Sequence, residues 1–169
     1  MNRPKKDNYY LNIASSIGER SPCKRRKFGS IIVKNDVIVA TGYNGPPRGS
    51  TNCEDGCLKD EANAPRYARY DLCPAVHSEE NAVVNAARHG IQIKDGTLYI
   101  VGKNGKTGEY TVSRPCDRCK RVLVNAGIKE VITKNKEGKI IRYSPEEWAA
   151  EEKEEYIKKL KKAREGKLK

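Results

Sequence analysis

"TLYIVGKNGKTGEYTVSRPCDRCKRVLVNAGIKEVITK", residues 97–134, carries the architecture in miniature. TLYIVG (97–102) is apolar and β-branched enough for a buried strand, and residues 102–110 are turn-rich. PCDRCKRVLVNA (115–126) predicts a helix with Pro115 in its first turn, and KEVITK (129–134) predicts a second strand. Strand, helix and strand at this spacing make a βαβ unit, which is parallel and right-handed. Upstream, FGSIIVKNDVIVATGYNG gives two apolar runs joined at Lys34-Asn35-Asp36, the signal of an antiparallel hairpin. The sheet is therefore mixed and the class α/β.

Helices are predicted at residues 7–17, from His77 to Gly90, and after Ser144, where Ser144, Pro145 and Glu147 form a capping-box start. A short strand is expected near residues 139–143. Residues 44–73 are polar and aperiodic with three cysteines, the pattern of an insertion organised by something other than a core. The chain has 169 residues, enough for one domain with a real core. No apolar run approaches the ~18 residues of a membrane span, and the N-terminus lacks a signal-peptide core. These features predict a cytoplasmic protein, in which six cysteines point to metal binding or catalysis before disulfides. The net charge of +12 suits an anionic ligand, although much of the basic excess lies in CKRRK (23–27) and in KKLKKAREGKLK (158–169), at the end of a charged helix and tail over 144–169, where a solvated face or tail is the commoner reading.

The chemistry gathers at two helix starts. His77 and Glu79 are two residues apart, about 200° around an ideal helix, so they serve one site only if one lies at the helix entrance. Cys116 and Cys119 are three apart, at a helix N-terminus that favours thiolate. One His and two Cys would hold zinc with its fourth position open to water, leaving Glu79 as acid/base. A lone CxxC is equally a redox pair or half of a structural zinc site. The order HxE…PCxxC is more specific, being the signature of zinc nucleobase deaminases.

On His77, Glu79, Cys116 and Cys119, with GYNGPPRG (42–49) and VNAGIKEV (124–131), the chain resembles the deoxycytidylate (dCMP) deaminase family within the cytidine deaminase superfamily. The resemblance runs from about Lys27 to Thr133. It departs in two places: Ser78 stands where HAE is usual, and the loop before the cysteines is longer. The resemblance implies a three-layer α/β/α fold with a mixed central sheet, spanning residues 1–143 with the Cys-rich insertion at about 44–73. It further implies hydrolysis of dCMP to dUMP and ammonia, supplying thymidylate synthesis. The Arg114 carbonyl would accept from the exocyclic amine, and Asn44 would contact the sugar. Arg26 would contact the phosphate, with Arg48 and Arg114 as further flanking bases.

By the same resemblance, Cys23, Cys53, Cys57 and Cys73 would hold a second, structural zinc. A homo-oligomer, commonly a hexamer, and the effectors dCTP (activator) and dTTP (inhibitor) are implied as well. Two alternatives stand beside this reading. An RNA-editing adenosine deaminase shares the HxE…PCxxC core and suits the basic charge. A non-enzymatic zinc module for nucleic acid would leave Glu79 without a purpose.

Overall fold

The computed structural model describes residues 3–65 and 69–167. Five strands are ordered β2-β1-β3-β4-β5: β1 (Arg26–Lys34), β2 (Val37–Tyr43), β3 (Thr97–Asn104), β4 (Glu130–Lys134) and β5 (Ile140–Tyr143). Only β3 and β4 are parallel; the other neighbours are antiparallel, so the sheet is mixed as expected. The helices are α1 (Lys6–Gly18), the short α2 (Leu58–Glu61), α3 (Ser78–Arg88), α4 (Asp117–Asn125) and α5 (Pro145–Arg164). The β1–β2 hairpin closes on Asn35 and Asp36, both at positive φ. This is the geometry a two-residue turn needs to match strand twist.

Strand alternation divides the interior into two layers. Ile31, Val33, Tyr99, Val101 and Ile132 face α1 and pack on Tyr10, Leu11 and Ala14. Their neighbours Ile32, Leu98, Ile100 and Val131 face the other way, onto Ala82 and Ala86 of α3 and Leu123 of α4. The period of two along each strand thus builds an α/β/α sandwich. Trp148 of α5 joins the second layer and packs its ring against Tyr143, 5.7 Å between centroids.

Two boundaries differ from expectation. Pro115 lies one residue before the cap of α4 instead of in its first turn, because Cys116 takes the extended capping conformation (φ −71°, ψ 167°). The 44–73 stretch contains α2 and a 3-10 turn at Tyr70–Leu72, neither of which the aperiodic composition signals. α4 ends at Asn125, one residue before the expected boundary at 126. Gly127 is at positive φ, its N–H reaches the Val124 carbonyl, and the Ile128 N–H reaches that of Leu123.

α3 is seated on edge strand β2 by its asparagines: Asn81 donates to the Tyr43 carbonyl (2.7 Å) and Asn85 to that of Thr41 (2.6 Å). Gly42 makes this approach possible, since a Cβ there would lie 2.3 Å from the Ser78 carbonyl oxygen and 2.4 Å from the Ala82 nitrogen. Both obstacles are backbone, so the first turn of α3 would have to move. Gly42→Ala should destabilise the fold by on the order of 1–3 kcal/mol, read as a lower denaturant midpoint at unchanged slope. Gly56→Ala, whose nearest neighbour is a side-chain atom 3.7 Å away, is the control expected to stay near wild type.

Candidate metal centre and adjoining cavity

α3 and α4 pack on the same face of the sheet, and their N-termini converge. His77 is the cap of α3, with extended dihedrals (φ −74°, ψ 156°). Its side chain therefore leaves the helical wheel that would hold it about 200° from Glu79. Cys116 caps α4, and Cys119 is buried one turn further on. The His77 Nδ1 lies 3.5 Å from the Cys116 sulfur and 3.3 Å from that of Cys119.

Zinc with ordinary bond lengths in a tetrahedral site separates a nitrogen and a sulfur ligand by about 3.6 Å. The donor set and its spacing therefore fit zinc. Among the described residues this is the one group of three or more such side chains whose ligand atoms all lie within 4.8 Å of one another.

The cluster is already biased towards a cation. Cys116 is lowered to about 3, first by its hydrogen bond with Cys119 and then by His77. The same bond, with burial, pushes the Cys119 thiol up, while Cys116 raises His77. Cys116 is thus favoured as thiolate over Cys119, and a metal bound by both sulfurs would displace the thiol protons that remain.

Glu79 is 5% exposed, and burial pushes its carboxyl pKa up. Ser78 donates to its Oε2 (2.9 Å), and Ser30 of β1 donates to Ser78 (2.8 Å). The serine that replaces the usual alanine is thus fully buried and engaged with the carboxylate. Glu80 turns the other way. It accepts from the His77 backbone N–H (3.2 Å) and from Arg118 (2.7 Å), tying the two helix starts together. Neither the serine pair nor the Glu80–Arg118 bridge has a local sequence signal. Each joins residues that are near only after the sheet forms.

A cavity of about 600 Å³ opens beside His77, Glu79 and Cys116. Asn44, Arg26 and Arg114 all line it. The Asn44 amide is held by β1: its oxygen accepts from the Phe28 N–H (2.7 Å), and its nitrogen donates to the Arg26 carbonyl (3.0 Å). The GYNG turn is therefore also a scaffold, fastening the end of β2 to the start of β1. Arg114 lies over the Tyr143 ring, 5.6 Å from its centroid. Arg48 is not part of this wall; it donates to Asn85 on α3 (2.7 Å). Sequence reasoning missed Lys24, Arg25 and Lys59, which add positive charge to the lining, and Tyr70, whose ring lies 5.0 Å from the Lys59 ammonium. Their signal was the basic run at 24–27 and the insertion itself, but neither says which way it folds.

The insertion forms one side of the same cavity. Cys23, Cys53, Cys57 and Cys73 all reach it. The Cys53 thiol is pushed up by burial and then by the other three thiols nearby. Their sulfurs do not form a group as tight as that of His77, Cys116 and Cys119.

A mixed-sheet α/β/α sandwich presenting one His, two Cys and a buried Glu at adjacent helix starts defines the zinc-site class of nucleobase-processing folds. Residues 4–135 match the family described as the cytidine and deoxycytidylate deaminase zinc-binding region, and the chain belongs to that family. A deoxycytidylate deaminase of Schizosaccharomyces pombe is 37% identical over 131 residues, 77% of this chain; the match spans 37% of that relative's length. A deoxycytidylate deaminase of Mycobacterium phage D29 is 32% identical over 136 residues, covering 78% of this chain and 96% of the relative. Among solved structures, the dCMP deaminase of cyanophage S-TIM5 in complex with dCMP and dUMP superposes with a TM-score of 0.60. It is 31% identical, covering 80% of this chain and 85% of that one. No helix among the described residues is long and apolar enough to cross a membrane.

Proposed function

We propose that the chain is a zinc-dependent hydrolase that converts dCMP to dUMP and ammonia, with His77, Cys116 and Cys119 holding the metal. The observation that carries this reading is the buried Glu79 beside that cluster, facing a cavity with basic walls. When bound, zinc supplies the Lewis acidity that lets water act as a nucleophile near neutral pH. Glu79 takes a proton from the attacking water and delivers it to the ring nitrogen; it then takes the second proton from the hydroxyl added at C4, which becomes the carbonyl, and gives it to the departing amine. Burial raises the Glu79 carboxyl pKa, the direction that suits a group which both takes up and releases a proton. The Arg114 carbonyl accepts from the exocyclic amine. Asn44, with one amide N–H that has no partner among the described residues, donates to a sugar hydroxyl. Arg26, without a side-chain partner among the described residues, meets the phosphate.

Ammonia release from dCMP, CMP, deoxycytidine, cytidine and tRNA tests this reading, with dCTP present in case it activates the enzyme. A charge-assisted phosphate contact contributes ~1.5–3 kcal/mol, roughly ten- to hundred-fold. The kcat/KM for dCMP should exceed that for deoxycytidine by at least that factor. Arg26→Gln should erase much of the difference through KM. Equal rates for the two would refute the phosphate contact, and turnover confined to tRNA would replace dCMP as the substrate.

Cys23, Cys53, Cys57 and Cys73 bind a second, structural zinc in the same reading, supported by their shared cavity wall and the mutual influence of their thiols. The purified protein should contain two zincs per chain, and Cys57→Ser should contain one. A wild-type stoichiometry of one, unchanged by Cys57→Ser, would remove the structural site. A cytoplasmic location, a hexamer and control by dCTP and dTTP complete the reading. They rest on the family likeness.

A further inference from the structure

α5 lies beyond the region matched to the family, and most of it is exposed. Trp148 anchors its first turn, and Arg121 of α4 reaches Glu152 at 2.5 Å. From Ala149 to Arg164 every residue is exposed. Three of them are large and apolar: Tyr156 (63% exposed), Ile157 (56%) and Leu160 (37%).

These residues are not scattered. At 100° per residue, Ala149, Ala150, Tyr156, Ile157, Leu160 and Ala163 fall within an arc of about 140°, shared over residues 148–164 only with Lys153 and Arg164. The rest of the circumference is charged, apart from the anchoring Trp148. The stripe is centred about 120° from Trp148, so the core does not use it. One edge of it borders a groove of about 550 Å³ between α4 and α5, with Val124 and Tyr156 among its walls.

Charge identifies the occupant. Residues 146–155 hold six glutamates and one lysine; residues 158–164 hold five basic residues and no acid. Complementing the helix dipole would need acids only in the first turn and bases only in the last. Here the segregation runs through the whole helix. The i,i+4 pairs Glu154–Lys158 and Glu155–Lys159 occur only where the two halves meet. An acidic half followed by a basic half is complementary to itself when reversed. A second α5 laid antiparallel sets each acidic half against a basic half and covers both stripes about a twofold axis near Tyr156. An anionic membrane or a nucleic acid would attract the basic half and repel the acidic one.

We propose that α5 is a self-pairing element that joins two copies of this chain through an antiparallel helix pair. The test is carbodiimide coupling of an equimolar mixture of ¹⁴N- and ¹⁵N-labelled full-length protein, read by mass spectrometry. Light–heavy crosslinks should join Glu151 of one copy to Lys161 or Lys162 of another. Those residues are too far apart along one helix, or across a parallel pair, for a zero-length link. The yield should fall in high salt, because these charges are exposed and screened. Replacing two apolar residues of the stripe per copy, Ile157→Gln with Leu160→Gln, should lower it at least ~tenfold with helix content unchanged. Three results would each overturn the pairing: no light–heavy links within α5, links from α5 only to other elements, or a yield indifferent to the double variant. Binding of α5 to anionic vesicles, lost in that same variant while crosslinks stay absent, would assign the stripe to a membrane instead.

Discussion

Glu79→Gln should reduce kcat by at least ~10²–10⁴-fold while leaving zinc content and fold in place. The amide keeps the size of the carboxyl and can still accept from Ser78, so the packing around a side chain that is 5% exposed is preserved. What it loses is the capacity to take up and release a proton. Because the same group is assigned several transfers in one turnover, its removal should exceed the effect of a single-step acid or base. KM for dCMP should change little, since the sugar and phosphate contacts lie elsewhere in the cavity. Steady-state kinetics beside zinc analysis decides the point. Near-normal turnover with full zinc would remove Glu79 from the chemistry.

Cys119→Ser should lose one zinc per chain and all measurable activity. The side chain is fully buried, with its sulfur 3.3 Å from His77. Serine supplies neither the thiolate nor the longer bond that zinc makes to sulfur. Disturbing residues that merely orient metal ligands already costs ~10–100-fold in affinity or activity, so removing a buried ligand should cost more. Elemental analysis of dialysed protein is the readout, with circular dichroism to show that the sandwich persists. Cys73→Ser, at an exposed position outside the His77–Cys116–Cys119 group, should retain the zinc at His77. A Cys119→Ser protein with unchanged zinc and turnover would overturn the assignment of this cluster as the catalytic centre.

Much of the frame is legible along the chain because it depends on near neighbours. Alternating Ile31, Ile32 and Val33 announce a strand buried on both faces. Asn35-Asp36 announces the hairpin. The HxE and PCxxC spacings point to the metal cluster, since each motif sits within one helical turn. Ser144 does cap α5, its hydroxyl accepting from the Glu147 N–H at 3.3 Å.

Other features depend on residues that are distant in sequence. Ser30 reaches Glu79 through Ser78 only because β1 lies under α3. Gly42 reads as part of a loop motif, yet its consequence is that a helix backbone comes close to β2. Arg48 and Arg26 look alike as basic residues near the loops; the tertiary structure commits Arg48 to Asn85 and leaves Arg26 in the cavity lining.

The sequence by itself determined the mixed α/β sheet, the paired helix starts and the identity of the residues that could hold a metal. These follow from periodicity and from spacings of one turn or less. Only the tertiary structure decided that the insertion forms one side of the cavity, that Glu79 is buried beside it, and that the apolar stripe of α5 faces away from its own core. Burial and approach are set by non-local packing, which a linear pattern of residue types does not contain.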